Sequence, residues 1–95
     1  MVKHIVMFKL SEKTPENIER AVNSLRSLEG TIEVLKSIEV GIDFLESDRS
    51  YDIVLIAEFE NREALEIYGE HENHLPVVKI MRSLCSNSGV VDYEV

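Results

Sequence analysis

The chain of 95 residues is 44% hydrophobic and 29% charged, a composition typical of one folded domain rather than of a disordered segment. Its 18 acidic and 10 basic residues give a net charge of −8, which argues against binding to nucleic acid or to anionic lipid. No apolar run reaches the length of a membrane span, and the one cysteine, Cys85, cannot form an internal disulfide, so we expect a cytoplasmic protein.

The first half of the chain predicts a strand, a helix and a second strand. Residues 3–10 are apolar on both alternating faces, which is typical of a strand buried on both sides. Thr14 and Pro15 suit the cap and the first turn of a helix, which we expect to end near Leu28. Residues 34–43 alternate between apolar and polar types, which indicates an edge strand with one wet face.

The second half predicts a buried strand, an interrupted helix and a last strand. Residues 51–59 are almost continuously apolar, and Asn61 can cap the helix that follows them. The segment 69–76 interrupts this helix, and its final proline suits the start of a further helix. A turn is expected at 87–89, and 90–95 has the pattern of the last strand.

This order of elements predicts an α+β fold of the ferredoxin-like βαββαβ type, with a four-stranded antiparallel sheet over residues 1–95 as one domain. Strands one and three are central in that topology, and the helices cover only one face of the sheet. The central strands nevertheless carry apolar side chains on the other face as well. A second copy of the sheet is the simplest cover, so we expect a homodimer.

Histidine 4 is the first candidate for chemistry, because imidazole titrates near neutral pH. His4 shares a strand face with Val6 and Phe8. If that face points into the dimer interior, His4 is a titratable group in an apolar cavity. The alternative is an interior histidine that is bonded to a neighbour and chemically idle.

A second group of candidates lies in the interrupted helix. Tyr68, His71 and His74 are spaced by three residues, which on a continuous helix would place them along one side. Two histidines with only Glu70 and Glu72 nearby form a weak metal pattern, so we assign no metal site. A histidine beside a tyrosine hydroxyl could instead remove and return a carbon-bound proton. The alternative is a solvated helix end whose carbonyls favour histidine charge.

Two further residues have open interpretations. Asp52, at the entry to the third strand, is either a charge at the end of the sheet or a group that faces the cavity. Cys85 is expected to lie on a helix of core spacing, and a buried free thiol of this kind is usually an inert small hydrophobe.

Three segments together resemble the stress-responsive A/B-barrel (Dabb) family. The opening VKHIVMFKL at 2–10 is similar to the first strand of the family, including its histidine. The segment 68–74 resembles the family's Y-x-x-H-x-x-H element, and 91–93 resembles its xDY last strand. The resemblance covers essentially the whole chain. It implies a ferredoxin-like protomer and a dimer whose two sheets close into an α/β barrel.

The resemblance also implies candidate roles. Among the plant members is a cofactor-free polyketide cyclase, whose reactive histidine and partner tyrosine match His74 and Tyr68, and whose further pocket histidine matches His4. Asp52 stands where that enzyme has another pocket histidine. Some plant members hold Mg²⁺ through backbone carbonyls after the first helix, and the corresponding segment here is about 29–35. Carbonyl ligands leave almost no side-chain pattern in a sequence. We therefore assign neither metal nor cofactor.

Three hypotheses follow for function. The first is a cavity that binds a small apolar or aromatic molecule. The second is a cofactor-free lyase, isomerase or cyclase, with His74 as general base and Tyr68 as its partner. The third is a non-enzymatic structural stress protein. The ligand-binding positions assigned beside the catalytic pair are His4, Val6, Phe8, Asp52, Ile53, Leu55 and His71.

Overall fold

Seven elements follow one another in the computed structural model, which describes residues 1–95. They are β1 (Val2–Leu10), α1 (Pro15–Arg26), β2 (Ser37–Ile42), β3 (Ile53–Phe59), α2 (Arg62–Glu70), α3 (Leu75–Leu84) and β4 (Cys85–Glu94). The strands form one antiparallel sheet in the order β2-β3-β1-β4. This is the expected ferredoxin-like βαββαβ topology, with the second helix divided into α2 and α3.

Both predicted helix caps are present. Thr14 Oγ1 accepts a hydrogen bond of 3.1 Å from the backbone N–H of Asn17, ahead of Pro15 in the first turn of α1. The Oδ1 atom of Asn61 accepts a hydrogen bond of 2.8 Å from the N–H of Ala64 at the start of α2. Each cap satisfies a backbone donor that has no partner within the helix, which fixes where the helix begins.

The core lies between one face of the sheet and the three helices. On β3 the alternate residues Ile53, Leu55, Ala57 and Phe59 are at most 3% exposed. Because side chains alternate across a strand, these positions share one face of the sheet. The helices contribute the other side of the core through the buried residues Ala21, Val22, Leu25, Ala64, Tyr68, Val77, Met81 and Leu84.

The opposite face of the sheet is apolar and uncovered. Ile5 on β1 pairs with Ile56 on β3 and with Val91 on β4. Met7, one pleat further along β1, is 39% exposed, and Val91 is 58% exposed. The expectation that the central strands are apolar on both faces is therefore confirmed. We call this surface the open face, defined by Ile5, Met7, Val54, Ile56, Val91 and Tyr93.

The last strand begins earlier than the sequence pattern predicts. Residues 87–89 lie inside β4 rather than in a turn, and Cys85 is the first residue of the strand. The reason is the length of β1, whose residues from Val2 to Leu10 pair with β4 from Glu94 back to Cys85, with a bulge at Lys9/Leu10. Pairing along a nine-residue central strand outweighs the local turn preference of Asn, Ser and Gly.

The first helix and the second strand are shorter than expected. α1 ends at Arg26, and the chain turns through Gly30, whose φ of 77° is readily accessible only to glycine. Leu28 lies in this turn, yet it is buried against the core. β2 begins at Ser37 rather than at 34, so the chain between α1 and β2 is a loop.

Candidate functional site

A pocket of about 510 Å³ lies between the helix-covered face of the sheet and the helices α1 and α3. Its size is within the usual range for small-molecule sites. The walls are mainly apolar and consist of Val6, Phe8, Leu25, Leu28, Leu55, Val77, Val78 and Met81. Polar side chains lie at two places, a cluster of His4, Tyr68 and His74 and a rim of Arg82, Ser86, Asn87 and Ser88.

Tyr68, on α2, contributes a hydroxyl that has no hydrogen-bond partner. The residue is 1% exposed and lines the pocket, and its hydroxyl oxygen is buried and unpaired. Its ring packs against that of Phe59, with centroids 4.9 Å apart. Burial raises the pKa of Tyr68 to about 12. The hydroxyl therefore keeps its proton at neutral pH and remains available to donate it in a hydrogen bond to a ligand.

His74 is placed by the break between α2 and α3. It stands immediately before α3, and its Nδ1 atom lies 3.1 Å from the carbonyl oxygen of Gly69 near the end of α2. A carbonyl oxygen only accepts hydrogen bonds, so Nδ1 carries the proton, and in the neutral ring Nε2 holds the lone pair. The hydrogen bond thus selects the tautomer in which Nε2 can act as a base.

The surroundings of His74 favour its neutral form. Burial is the main cause that lowers the pKa of His74, and the nearby His4 and His71 lower it further. The hydrogen bond to the Gly69 carbonyl acts in the opposite direction. The balance keeps the imidazole neutral at neutral pH, which is the state that a general base requires.

His4 is held by a carboxylate on the neighbouring strand. His4 and Asp92 lie directly opposite each other in the β1–β4 ladder, and His4 Nδ1 donates a hydrogen bond to Asp92 Oδ1. The His4 ring centroid lies 6.0 Å from that of Tyr68 and 6.5 Å from that of Phe59. His4 is thus fixed by Asp92 at the edge of the Tyr68–His74 pair, and its face of β1 meets the helices rather than the open face.

Two backbone carbonyls already accept hydrogen bonds in the segment that corresponds to the carbonyl-bound Mg²⁺ of plant relatives. Within 29–35, the carbonyl oxygen of Thr31 accepts a hydrogen bond of 2.9 Å from Asn73 Nδ2, and that of Ile32 accepts one of 3.1 Å from Leu35 N. No group of three or more His, Cys, Asp or Glu side chains is placed to hold a metal ion elsewhere. We assign no metal to this segment and derive no step through one.

The sequence matches the Stress responsive A/B Barrel Domain, Dabb, over residues 2–95. The chain belongs to this family. It matches no curated protein. None of its helices combines the length and the apolar character needed to cross a membrane.

Solved structures resemble this Dabb domain closely. A dimeric ferredoxin-like protein from Bacteroides fragilis is 32% identical, with a TM-score of 0.82 over 99% of this chain and 95% of the other. A second dimeric ferredoxin-like protein, from Thermobifida fusca, is 22% identical, with a TM-score of 0.88 over 99% and 90% of the two chains. A hydroxynitrile lyase from Passiflora edulis is 18% identical, with a TM-score of 0.86 over 99% and 92%.

Most of the site residues expected from the sequence come together in the Dabb pocket. His4, Val6, Phe8, Leu55, Tyr68 and His74 all line it. The continuous helix on which Tyr68, His71 and His74 would share one side is absent, because α2 ends at Glu70. The chain then turns, with the N–H of His74 donating to the carbonyl of His71 over 2.9 Å. This turn, rather than helical spacing, brings His74 against Tyr68.

Three expected site residues lie outside the pocket lining. Asp52 is 5% exposed and accepts a hydrogen bond of 2.8 Å from the N–H of Leu10, so it fixes the end of β1. Ile53 is 2% exposed and belongs to the core. His71 accepts a hydrogen bond of 3.0 Å at Nδ1 from the N–H of Asn73, which uses its basic nitrogen in the turn. None of the three lines the pocket, and a ligand-binding role for them stays a prediction.

The sequence analysis assigned no role to Asp92 or Arg82 and interpreted Cys85 as inert, although all three belong to the site or its surroundings. Asp92 holds His4, and Arg82 and Cys85 line the pocket. The register of β4 against β1 could have indicated Asp92. If Glu94 lies opposite Val2 in an antiparallel pair, then Asp92 lies opposite His4. Burial raises the pKa of the Cys85 thiol, with a smaller effect from Asp52, which agrees with an unreactive cysteine.

Proposed function

We propose that the protein is a homodimer in which each subunit binds a small apolar or aromatic molecule in the pocket. The observation that carries the proposal is the convergence of His4, Tyr68 and His74 at one place in an otherwise apolar cavity of about 510 Å³. A few polar groups among apolar walls are typical of ligand sites, since the walls supply affinity and the polar groups supply orientation. A purely structural stress protein would need no cavity of this size.

The homodimer is supported by the open face. Its apolar side chains would otherwise meet water, and burying them against a second sheet is favourable at about 25 cal/mol per Å². The Bacteroides fragilis protein of similar sequence and the Thermobifida fusca protein of similar fold are both described as dimeric. The pocket lies on the other face of the sheet, so dimerisation of this kind leaves it free to bind.

Ligand binding is tested by obstructing the pocket. Ser88 is an exposed residue that lines the pocket, so Ser88→Phe fills part of it without disturbing the core. Ser83→Phe is the matched control, because Ser83 is exposed on α3 but does not line the pocket. Small aromatic compounds that stabilise the wild type in a thermal-shift screen should lose their effect in Ser88→Phe and keep it in Ser83→Phe. Compounds that act equally on all three proteins would contradict the proposal.

A cofactor-free acid–base reaction is the second candidate, and it is favoured by the Nδ1–Gly69 hydrogen bond of His74. The neutral ring leaves Nε2 free to remove a proton from a carbon next to a carbonyl group. The unpaired hydroxyl of Tyr68 would donate a hydrogen bond to the oxyanion that forms, and the proton would then return to carbon or to a leaving group. The hydroxynitrile lyase of similar fold supports lyase chemistry as a class that this fold can carry.

The acid–base candidate is tested by hydrogen exchange at an acidic carbon. Loss of the α-proton signal of acetylacetone in D₂O is followed by NMR with catalytic amounts of protein. Wild type should accelerate the exchange, and His74→Gln should return it to the buffer rate. His71→Gln is the matched control, since His71 is three residues away and outside the pocket lining. Equal rates for wild type and His74→Gln would remove the acid–base candidate and leave ligand binding untouched.

A further inference from the structure

The charge of the pocket lining is opposite to that of the chain. The protein has 18 acidic and 10 basic residues, yet none of the 16 lining residues is Asp or Glu. Apart from the two histidines, Arg82 is the one basic residue in the lining. A cavity without carboxylates and with one cationic residue in its lining is suited to an anion.

Arg82 has no partner within the protein. Some basic residues are paired, for example Lys13 with Glu46, Lys36 with Glu60, and Arg62 with Glu94, and Arg82 is among those that are not. No ion pair or side-chain hydrogen bond involves Arg82, although its guanidinium carries five N–H donors in a planar fork. That fork matches the two oxygens of a carboxylate, so its donors are free for a ligand.

The arginine and the catalytic candidates lie at opposite ends of the pocket. His74 and Arg82 are eight residues apart along α3, which corresponds to about 12 Å at 1.5 Å per residue. The sheet follows the same direction. The pair of His4 and Asp92 lies at the His74 end of the cavity, and the pair of Phe8 and Ser88 lies at the Arg82 end. The apolar walls from Val77 to Met81 occupy the space between the two ends.

The rim around Arg82 is also polar. Ser86, Asn87 and Ser88 line the pocket beside it, as the first part of β4. Asn87 Oδ1 accepts a hydrogen bond from the N–H of Ser88, which leaves its amide N–H₂ group free to donate. The hydroxyl of Ser88 has no protein partner. Because Ser86 Oγ donates to the carbonyl oxygen of Lys9, the rim offers two free neutral donors, the Asn87 amide and the Ser88 hydroxyl, in the same lining as Arg82.

We propose that the pocket binds an elongated carboxylic acid as its anion, with the carboxylate at Arg82 and the apolar body extending towards Tyr68 and His74. The inference rests on the proposed ligand-binding function and names its ligand class. One arginine with neutral donors suits a singly charged carboxylate. The length of about 12 Å between the two ends is that of a benzoate carrying a short para-alkyl chain.

The test compares an acid with its neutral isostere. Binding of 4-butylbenzoate and of 4-butylbenzamide is measured by calorimetry with wild type, Arg82→Gln and Lys79→Gln. Lys79 is the matched control, because it lies exposed on the same helix outside the pocket and loses the same charge. Wild type and Lys79→Gln should bind the acid about fivefold more tightly than the amide, and Arg82→Gln should bind the two equally. The preference for the acid should also weaken with added salt.

The possible outcomes distinguish a failure of the carboxylate assignment from a failure of ligand binding in the pocket. Equal binding of acid and amide by wild type, with both blocked by Ser88→Phe, would overturn the carboxylate assignment and support the pocket. An acid preference that survives Arg82→Gln would overturn the role of Arg82. Absence of binding by either compound at millimolar concentration would overturn the ligand class, and the independent screen with Ser88→Phe would then decide on the pocket itself.

Discussion

The imidazole ring of His74 lies against the phenol ring of Tyr68, with centroids 4.1 Å apart and planes inclined by 35°. Burial acts on the two groups in opposite directions, because it penalises the charged form of each. It lowers the pKa of His74 and raises that of Tyr68 to about 12. Both rings are therefore neutral over a wide range around neutral pH, and a base and a hydrogen-bond donor lie side by side.

The hydroxyl of Tyr68 gives the first prediction. Tyr68→Phe removes a buried hydroxyl that has no partner, so the free energy of unfolding should stay constant or rise by up to about 1 kcal/mol. The same variant should lose hydrogen-exchange activity if Tyr68 stabilises the oxyanion. Chemical denaturation measures the stability, with Tyr51→Phe, whose hydroxyl is not a buried unpaired group, as control. Destabilisation well beyond 1 kcal/mol would show that the hydroxyl has a partner in the folded protein.

The pH dependence of stability gives the second prediction. The pKa of His74 is lower in the folded protein than its ordinary value of 6.5, so the unfolded chain binds the proton more readily. The contribution of His74 to the free energy of unfolding is fully present above pH 6.5. It decreases as the pH drops towards the lower pKa of the folded protein. The difference in unfolding free energy between wild type and His74→Gln should therefore shrink between pH 7.5 and about pH 5.

The control for this prediction is His71→Gln, which removes one of the smaller causes of the lowered pKa of His74 and keeps burial, the main cause. Urea unfolding is measured for all three proteins at both pH values. A wild-type advantage over His74→Gln that grows as the pH falls would mean that the folded pKa is raised, contrary to the structure. The exchange reaction offers a second readout, because its rate should increase with pH through the lowered pKa of His74 and then level off.

The buried carboxylate of Asp52 gives the third prediction. It accepts a hydrogen bond of 2.8 Å from Leu10 N and lies 3.5 Å from Lys13 Nζ. Asp52→Ala leaves the Leu10 N–H buried without an acceptor and should cost about 2–3 kcal/mol of stability. Asp52→Asn keeps an acceptor and should cost less. Thermal unfolding compares the two variants. Equal losses of stability would show that the charge of Asp52, and not its hydrogen bond to Leu10, stabilises the end of β1.

The open face gives the fourth prediction. Ile56, near the centre of this face, pairs with Ile5. Ile56→Glu places a charge where a second sheet would pack, so a dimeric wild type should become monomeric while keeping its helical circular dichroism signal. Ile67→Glu is the matched control, since Ile67 is 46% exposed on α2 and away from this face. Sedimentation at micromolar concentration measures both, and a monomeric wild type would contradict the homodimer.

Much of the fold could be predicted because alternation and caps are local signals. The continuous apolar character of β1 and β3 indicated the two central strands, and Thr14 and Asn61 marked two helix starts. The start of β4 could not be predicted from its own residues. It depends on pairing with β1, which holds residues 87–89 in a strand despite their turn propensity.

The site was predicted less completely than the fold, for a physical reason. His4, Tyr68 and His74 were identifiable as residue types in suggestive positions, and the structure places all three at one pocket. Their mutual arrangement depends on the turn at the end of α2, on the Gly69 carbonyl and on Asp92, which are tertiary features. The rim cation Arg82 gave no signal, because a solvated helical arginine and a ligand-binding one have the same sequence pattern.

The two faces of β1 divide its residues by alternation. His4, Val6 and Phe8 line the pocket, and Ile5 and Met7 belong to the open face. A single inserted or deleted residue early in this strand would exchange the two sets, turning the imidazole outwards and the aliphatic groups inwards. Substitutions on one face of β1 leave the residues of the other face in their positions. Substitutions could therefore change the pocket without altering the open face, whereas a change in strand length would alter both at once.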